Sequence, residues 1–346
     1  MGRSYRRDRV ARLALVGLTG SGTLRGATYD WGVSPPRAIA SSAVLRWLLP
    51  LNLGVQILIV VTGGLVRLTG SGLGCSTWPQ CEPGAFTPAF RPENATHTFI
   101  EFGNRVLGIV VGIVALAVVA AVLIFAAREI RRRMWALAGL VLLGTLGQGV
   151  LGGITVLLDL HPGIVMAHFL ISMLLIVVST LLLLTHRRVL PSAASLPPLV
   201  QCLGLLTGLV GAVVIVLGTI VTGSGPHSGD AEEPARFGFD PHMVSWLHAD
   251  SVMLFIGLVV AMVVATALLP DAVGARGPWV AVLVVSLIQG VVGYVQYATG
   301  VPVPLVSLHM LGACLLTAAL TWGVASVLGK QKISIDQAFA PEAARV

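Results

Sequence analysis

The sequence predicts an all-α integral membrane fold: eight transmembrane helices forming two duplicated four-helix bundles, with both termini cytoplasmic. Three observations carry this. Of 346 residues, 55% are hydrophobic and only 11% charged, with a mean hydropathy of +0.90, whereas a soluble domain carries roughly 25% charged residues. Eight apolar stretches each reach the roughly 20 residues that a helix needs to cross about 30 Å of hydrocarbon. Finally, the chain repeats itself at a fixed offset.

Residues 1–43 read as a basic cytoplasmic tail, with Arg3, Arg6, Arg7, Arg9, Arg12, Arg25 and Arg37 around an apolar piece, Leu13 to Leu18, too short to span. Spans follow at 44–66, 98–126, 134–157, 163–185, 198–221, 243–269, 278–298 and 303–328. Arg128, Arg131, Arg132 and Arg133 lie between the second and third, Arg187 and Arg188 after the fourth, Arg276 after the sixth, and Lys330 and Lys332 after the eighth. The positive-inside rule then puts both termini in the cytoplasm and the loops at 67–97 and 222–242 outside. Those outer loops hold Glu82, Glu93, Asp230, Glu232, Glu233 and Asp240. The net charge of +7 reflects this loop asymmetry, and no basic stretch is interleaved with aromatics, which excludes a nucleic-acid surface.

Gln148-Gly149-Val150 and Gly152 recur as Gln289-Gly290-Val291 and Gly293, and His168 recurs as His309; the shift is the same 141 residues, from 148 to 289 and from 168 to 309. Thr69-Gly70-Ser71-Gly72 returns as Thr222-Gly223-Ser224-Gly225. Four crossings separate equivalent points, so the halves, 44–190 and 191–329, share one orientation, and 330–346 is a second cytoplasmic tail.

An ionisable side chain inside a span costs a few kcal/mol and marks a functional candidate. Span 2 carries Glu101, Asn104 and Arg105; span 4 His168; span 6 His248 and Asp250; span 8 His309. The three histidines lie near the outer ends of their helices, hence at a common shallow depth, which points to a metal or heme site unless each is a satisfied core residue. Each half offers a pair of positions: His248 with His309, and Asn104 with His168. A four-helix bundle holds a porphyrin between two such side chains. Two imidazoles give a six-coordinate iron suited to electron transfer, and one imidazole leaves a position open for chemistry.

Glu101 lies within one turn of Asn104 and Arg105. It either neutralises Arg105 or sits beside the open iron face as a proton-transfer group. His97, two turns above Asn104 on the same face, reaches the rim of that site. Arg67 is an interfacial anchor or a partner for a heme propionate. Cys75 and Cys81 share an outer loop where a disulfide can form, as a structural staple or as a redox pair; the loop after span 5 has no cysteine. Cys202 and Cys314 lie in spans as packing residues. The glycines from Gly63 to Gly72 suit close helix packing and an exit turn.

Several of these segments resemble the heme A synthase family, the actinobacterial type in particular: Gly63-Gly64-Leu65-Val66-Arg67-Leu68-Thr69-Gly70-Ser71-Gly72-Leu73-Gly74-Cys75, Trp78-Pro79-Gln80-Cys81, Ile100-Glu101-Phe102-Gly103-Asn104-Arg105, His161-Pro162, Ala167-His168-Phe169, Leu247-His248 and Leu308-His309. The resemblance, from about residue 44 to 328, implies a plasma-membrane oxidoreductase that converts the C8 methyl of heme O to a formyl group, giving heme A for terminal oxidases. It implies that His248 and His309 ligate a heme b cofactor and that His168 and Glu101 serve the catalytic half, with Arg67, Asn104, Arg105 and His97 around the hemes. Heme O synthase and oxidase assembly factors are the implied partners. The chain departs from the pattern at Asn104, where many members have His, so the substrate iron has one protein ligand or borrows His97. It also lacks a second outer cysteine pair, and Ala249 replaces an Arg. The competing readings are a heme carrier, and a thiol–disulfide oxidoreductase using Cys75 and Cys81.

Overall fold

In the computed structural model the described residues are 23–24, 27–28, 43–89, 92, 95–187, 196–230 and 235–328. The arginines of the basic tail, Arg188, Glu93, Glu232, Glu233 and the tail 330–346 lie outside them. Thr23–Leu24 and Ala27–Thr28 pair as two two-residue antiparallel strands; the described fold is otherwise all-helical, as expected.

Among the described residues eight α-helices follow: α1 Ala43–Leu68, α2 Ala95–Phe125, α3 Arg128–Leu157, α4 Pro162–Arg187, α5 Pro198–Ser224, α6 Pro241–Leu268, α7 Val273–Ala298 and α8 Val303–Val327, with a short 3₁₀ turn, Pro270–Ala272, before α7. All eight are long and apolar enough to cross a membrane, and the chain is a multi-pass membrane protein. Large apolar side chains such as Ile109, Leu143, Leu174 and Leu209 face outward, as lipid requires while the helix satisfies its own backbone. The expected bounds fall short at α2, α3 and α7, which begin at Ala95, Arg128 and Val273. Hydropathy marks where hydrocarbon ends, whereas at α3 the arginines, good helix formers, carry the helix past that boundary.

Successive helices pack together within α1–α4 and α5–α8, and each set closes into a ring through α1 against α4 and α5 against α8. The rings meet along α4–α8, α1–α8 and α4–α5. Leu45, Leu49, Val118, Val122, Met134 and Leu182 fill the first ring. Phe255, Val259, Met262, Trp279, Val282 and Leu320 fill the second, and Val60, Met173, Ile176 and Cys314 pack at the seam. Cys314 is the packing residue expected, whereas Cys202 is exposed on the outside of α5. Small residues bring α5 close to α8: a side chain at Gly204, Gly208 or Gly211 would strike Val327, Val324 or Leu320. In the first ring, Asn52 donates to Ser179 at 3.0 Å and Gln56 to Thr145 at 2.9 Å.

The α3–α4 and α7–α8 turns are built alike. Leu158, Asp159 and Leu160 donate their N–H groups to the carbonyls of Ile154, Val156 and Thr155; Thr299, Gly300 and Val301 do the same to Val295, Tyr297 and Gln296. Leu160 and Val301 both hold positive φ, 58° and 53°, a costly conformation for such side chains. Every member of this set has its counterpart 141 residues on.

Candidate functional site

Each of the four candidate positions lies against a glycine of the preceding helix. A Cβ on Gly152 would come 3.3 Å from Cε1 of His168, on Gly218 3.2 Å from Cε1 of His248, and on Gly293 3.4 Å from Cε1 of His309; on Gly63 it would lie 3.6 Å from Nδ2 of Asn104. The glycines therefore let the side chains lie against the helix wall. The Nδ1 of all three histidines is buried without a hydrogen-bond partner, although the Val214 carbonyl is beside the His248 ring. The orphaned Nδ1 sets His168 and His309 apart from satisfied core histidines, which keep their polar atoms bonded. His248 and His309 are near enough for a charge on one to be felt at the other. Among the described residues no three metal-ligating side chains gather at one point, so the common depth of the histidines does not reflect a single three-histidine centre.

Across the first ring, Asn104 Oδ1 accepts from Thr62 Oγ1 at 2.8 Å, which pins the amide to α1. Glu101 is buried, and both its oxygens are engaged. Oε2 accepts from the Cys75 N–H at 2.7 Å, while Oε1 accepts from Arg105 Nη2 at 2.6 Å and Nε at 3.1 Å. Arg105 Nη1 donates in addition to the carbonyls of Thr77 and Gln80, at 2.9 and 3.1 Å. The ion pair expected from the one-turn spacing is thus present, and it anchors the outer loop. That loop is closed by the Cys75–Cys81 disulfide, whose residues are 0% and 1% exposed. This burial suits a staple better than an exchanging redox pair. Trp78, between the cysteines, packs onto α3 where a side chain at Gly153 would stand.

The other outer residues divide. His97 is exposed, its Nδ1 2.9 Å from Ser71 Oγ. Arg67 reaches across the seam, its Nη2 donating to the Thr222 carbonyl at 2.9 Å, while its Nε is buried without a partner. Among the described residues no carboxylate pairs with Arg67. Gly72 N–H donates to the Gly229 carbonyl at 2.9 Å, so the two outer loops join above the seam. Asp250, in contrast to the inward orientation expected of an intramembrane acid, lies on the exposed face of α6.

Sequence reasoning missed the glycine beneath each candidate ligand, the seat of Trp78 on Gly153, and the work of the two repeated glutamines. Gln148 Nε2 donates to the His168 carbonyl at 2.7 Å and Gln289 Nε2 to the His309 carbonyl at 2.9 Å. The signal that could have found them is the repeat itself, which keeps glutamine, glycine and histidine in one register.

Eight membrane-crossing helices in two rings, with unsatisfied histidines inside both, define a polytopic membrane protein with intramembrane histidine sites. The family model described as cytochrome oxidase assembly protein, COX15-CtaA, matches residues 46–229. That is more than half of the chain, and the chain belongs to this family. Among its relatives is the heme A synthase of Geobacillus thermodenitrificans, 35% identical over 132 residues, covering 38% of this chain and 39% of that protein. The heme A synthase of Rhizorhabdus wittichii is 28% identical over 340 residues, 85% of this chain and 96% of that protein. That of Methylorubrum extorquens is 34% identical over 214 residues, covering 53% and 54%. The match to the Geobacillus protein thus spans about two fifths of its length.

Proposed function

We propose that this protein is a heme A synthase, which oxidises the C8 methyl of heme O to a formyl group for terminal oxidase assembly. The observation that carries the reading is a set of three half-buried imidazoles, two in one ring of helices and one in the other, each with its Nδ1 buried and unbonded by hydrogen-bond geometry and each seated against a glycine. In the second ring His248 on α6 and His309 on α8 would hold heme b, which with two imidazoles would supply one-electron transfer. Unbonded ring nitrogens and side-chain-free helix walls fit such a planar group.

In the first ring His168 would hold heme O by its iron, with Asn104 on the facing helix as the other polar group available to it. The methyl carbon is hydroxylated twice and the resulting gem-diol loses water to give the formyl group; with water as the oxygen source this releases four electrons and four protons, and the electrons pass to an acceptor outside this chain. Arg67, half-buried with an unpartnered Nε and no carboxylate partner among the described residues, receives a porphyrin propionate, because a guanidinium drawn out of water favours an anion. Glu101 takes protons at the outer rim, held in place by Arg105 and the Cys75 N–H. Arg105 acts through Glu101 and the loop, and the stapled loop with Trp78 keeps bulk water off the outer end of the ring. His97, bonded to Ser71, sits at the rim.

The matched turns and closed rings support two equivalent halves, 44–190 and 191–329. The arginines at the start of α3 and the end of α4 support cytoplasmic termini in the plasma membrane. Heme O synthase is the natural source of substrate.

The test is expression in cells that make heme O, followed by extraction of the bound hemes and their separation with mass detection. Heme b together with heme A or its hydroxylated precursor is expected. His248→Ala or His309→Ala should lose heme b, and Glu101→Gln should retain heme and stop turnover. Finding only unmodified hemes in a competent host would overturn the reading in favour of carriage.

A further inference from the structure

We propose that Gln289, with Gly293 and Gly312, is a clamp that sets the plane of the His309 ring, and that Gln148 with Gly152 does the same for His168. The inference rests on the reading that these histidines ligate iron. A helix carbonyl has two lone pairs and spends one on the N–H four residues ahead. Gln289 takes the second on His309, donating from Nε2 at 2.9 Å across the α7–α8 contact; Gln148 does so on His168 at 2.7 Å, and also donates to Ser172 Oγ. Four residues beyond each glutamine, on the same helix face, stands the glycine against the imidazole Cε1, Gly293 at 3.4 Å and Gly152 at 3.3 Å from its Cβ position. The carboxamide fixes the main chain beneath the histidine, and the bare glycine wall fixes how the ring turns about its own axis. Together these two points set the ring plane that faces the iron.

Gly312 provides an independent handle. A Cβ there would collide with the Gln289 carboxamide, so α8 keeps an open slot one turn from His309 for a side chain from α7. Adding a methyl group at 312 evicts the carboxamide while leaving Gln289, His309 and Gly293 chemically unchanged. The first ring reaches the same end with Ser172 instead: its counterpart 141 residues on is Ala313, and Gln148 there takes a second bond that Gln289 lacks.

The experiment uses the full chain, purified with its heme. Heme b content of the wild type and of His309→Ala comes first: no heme b in the wild type overturns the ligand reading itself, separately from the clamp. With heme b present, low-temperature EPR of the oxidised protein reads the angle between the two axial imidazole planes through the largest g value. Gly312→Ala, Gln289→Asn, which is one methylene too short, and Gln289→Leu should each retain heme b and shift that g value. Gly312→Ala combined with Gln289→Leu should shift it no further than Gln289→Leu alone, because both changes remove one interaction. Gln148→Leu should leave the heme b signal unmoved. A wild-type g value in either Gly312→Ala or Gln289→Asn at full heme occupancy, or additive shifts in the double variant, overturns the clamp. If Gln289→Leu fails to assemble, the two milder variants decide alone.

Discussion

Replacing Glu101 with glutamine should loosen the outer loop by an amount that can be worked from its hydrogen bonds. The carboxylate accepts from the Cys75 N–H on one oxygen and from two nitrogens of Arg105 on the other. Glutamine keeps the shape but offers only one oxygen, so its amide must turn an N–H₂ toward either Cys75 N–H or Arg105, donor against donor. Hydrogen bonds to charged groups are worth about 1.5–3 kcal/mol net. The loss of one such contact, about 2 kcal/mol, corresponds to roughly 30-fold in the equilibrium for lifting the loop, at 1.4 kcal/mol per factor of ten. Cys75 and Cys81 are 0% and 1% exposed, so a phosphine reductant reaches the disulfide only when the loop lifts. If lifting is fast and reversible, reduction accelerates by the same factor. The assay is a time course of disulfide reduction in purified protein, trapped with a maleimide and read by mass. A change of less than about threefold would refute the idea that Glu101 holds the loop closed.

The same loop is held by packing as well. Gly153→Val should drive the Trp78 ring off α3 and speed disulfide reduction at least as much, as the same trapping assay reads; an unchanged rate would show that Trp78 is not part of the closure. His97→Ala should leave bound heme unchanged within error by pyridine-hemochrome spectra, since His97 is exposed and bonded to Ser71; a halved heme content would restore it as a ligand. Trp279→Ala should destabilise the second ring by about 3–5 kcal/mol, the usual cost of deleting a buried aromatic, because Trp279 is fully buried against Gly323 and Gly204. A detergent melting temperature equal to that of the wild type would count against this packing.

The eight helices were legible because hydrocarbon leaves a single-sequence signature: about 20 apolar residues in a row. The starts of α3 and α7 were not, because helical hydrogen bonding continues through Arg128–Arg133 and Val273–Gly277 after the hydropathy has fallen. The histidines could be read singly and paired by the repeat, yet the seating of His248 on Gly218 depends on how two helices are rotated, which no local pattern records. Glu101 shows the limit most clearly. Its partner Arg105 is one turn away and was expected. Its other partner is a backbone N–H, present at nearly every residue, and only the folded loop singles out that of Cys75. Asp250 was misjudged for a related reason: a charge inside a span predicts an inward face, but helix rotation is set by the neighbours, and α6 turns Asp250 outward.

The seam between the rings has a consequence for origin. Exchanging α1 with α5 and α4 with α8 turns the α1–α8 contact into α5–α4 and leaves α4–α8 unchanged, so the set of contacts maps onto itself. A contact set with that property is isologous, the form taken by two identical subunits about a two-fold axis. A single four-helix ancestor bearing these surfaces would therefore have paired with its own copy before any fusion joined them. In a single chain the two rings need not match, and they differ: one carries His248 and His309, the other Asn104 and His168 beside an outer loop closed by the Cys75–Cys81 disulfide.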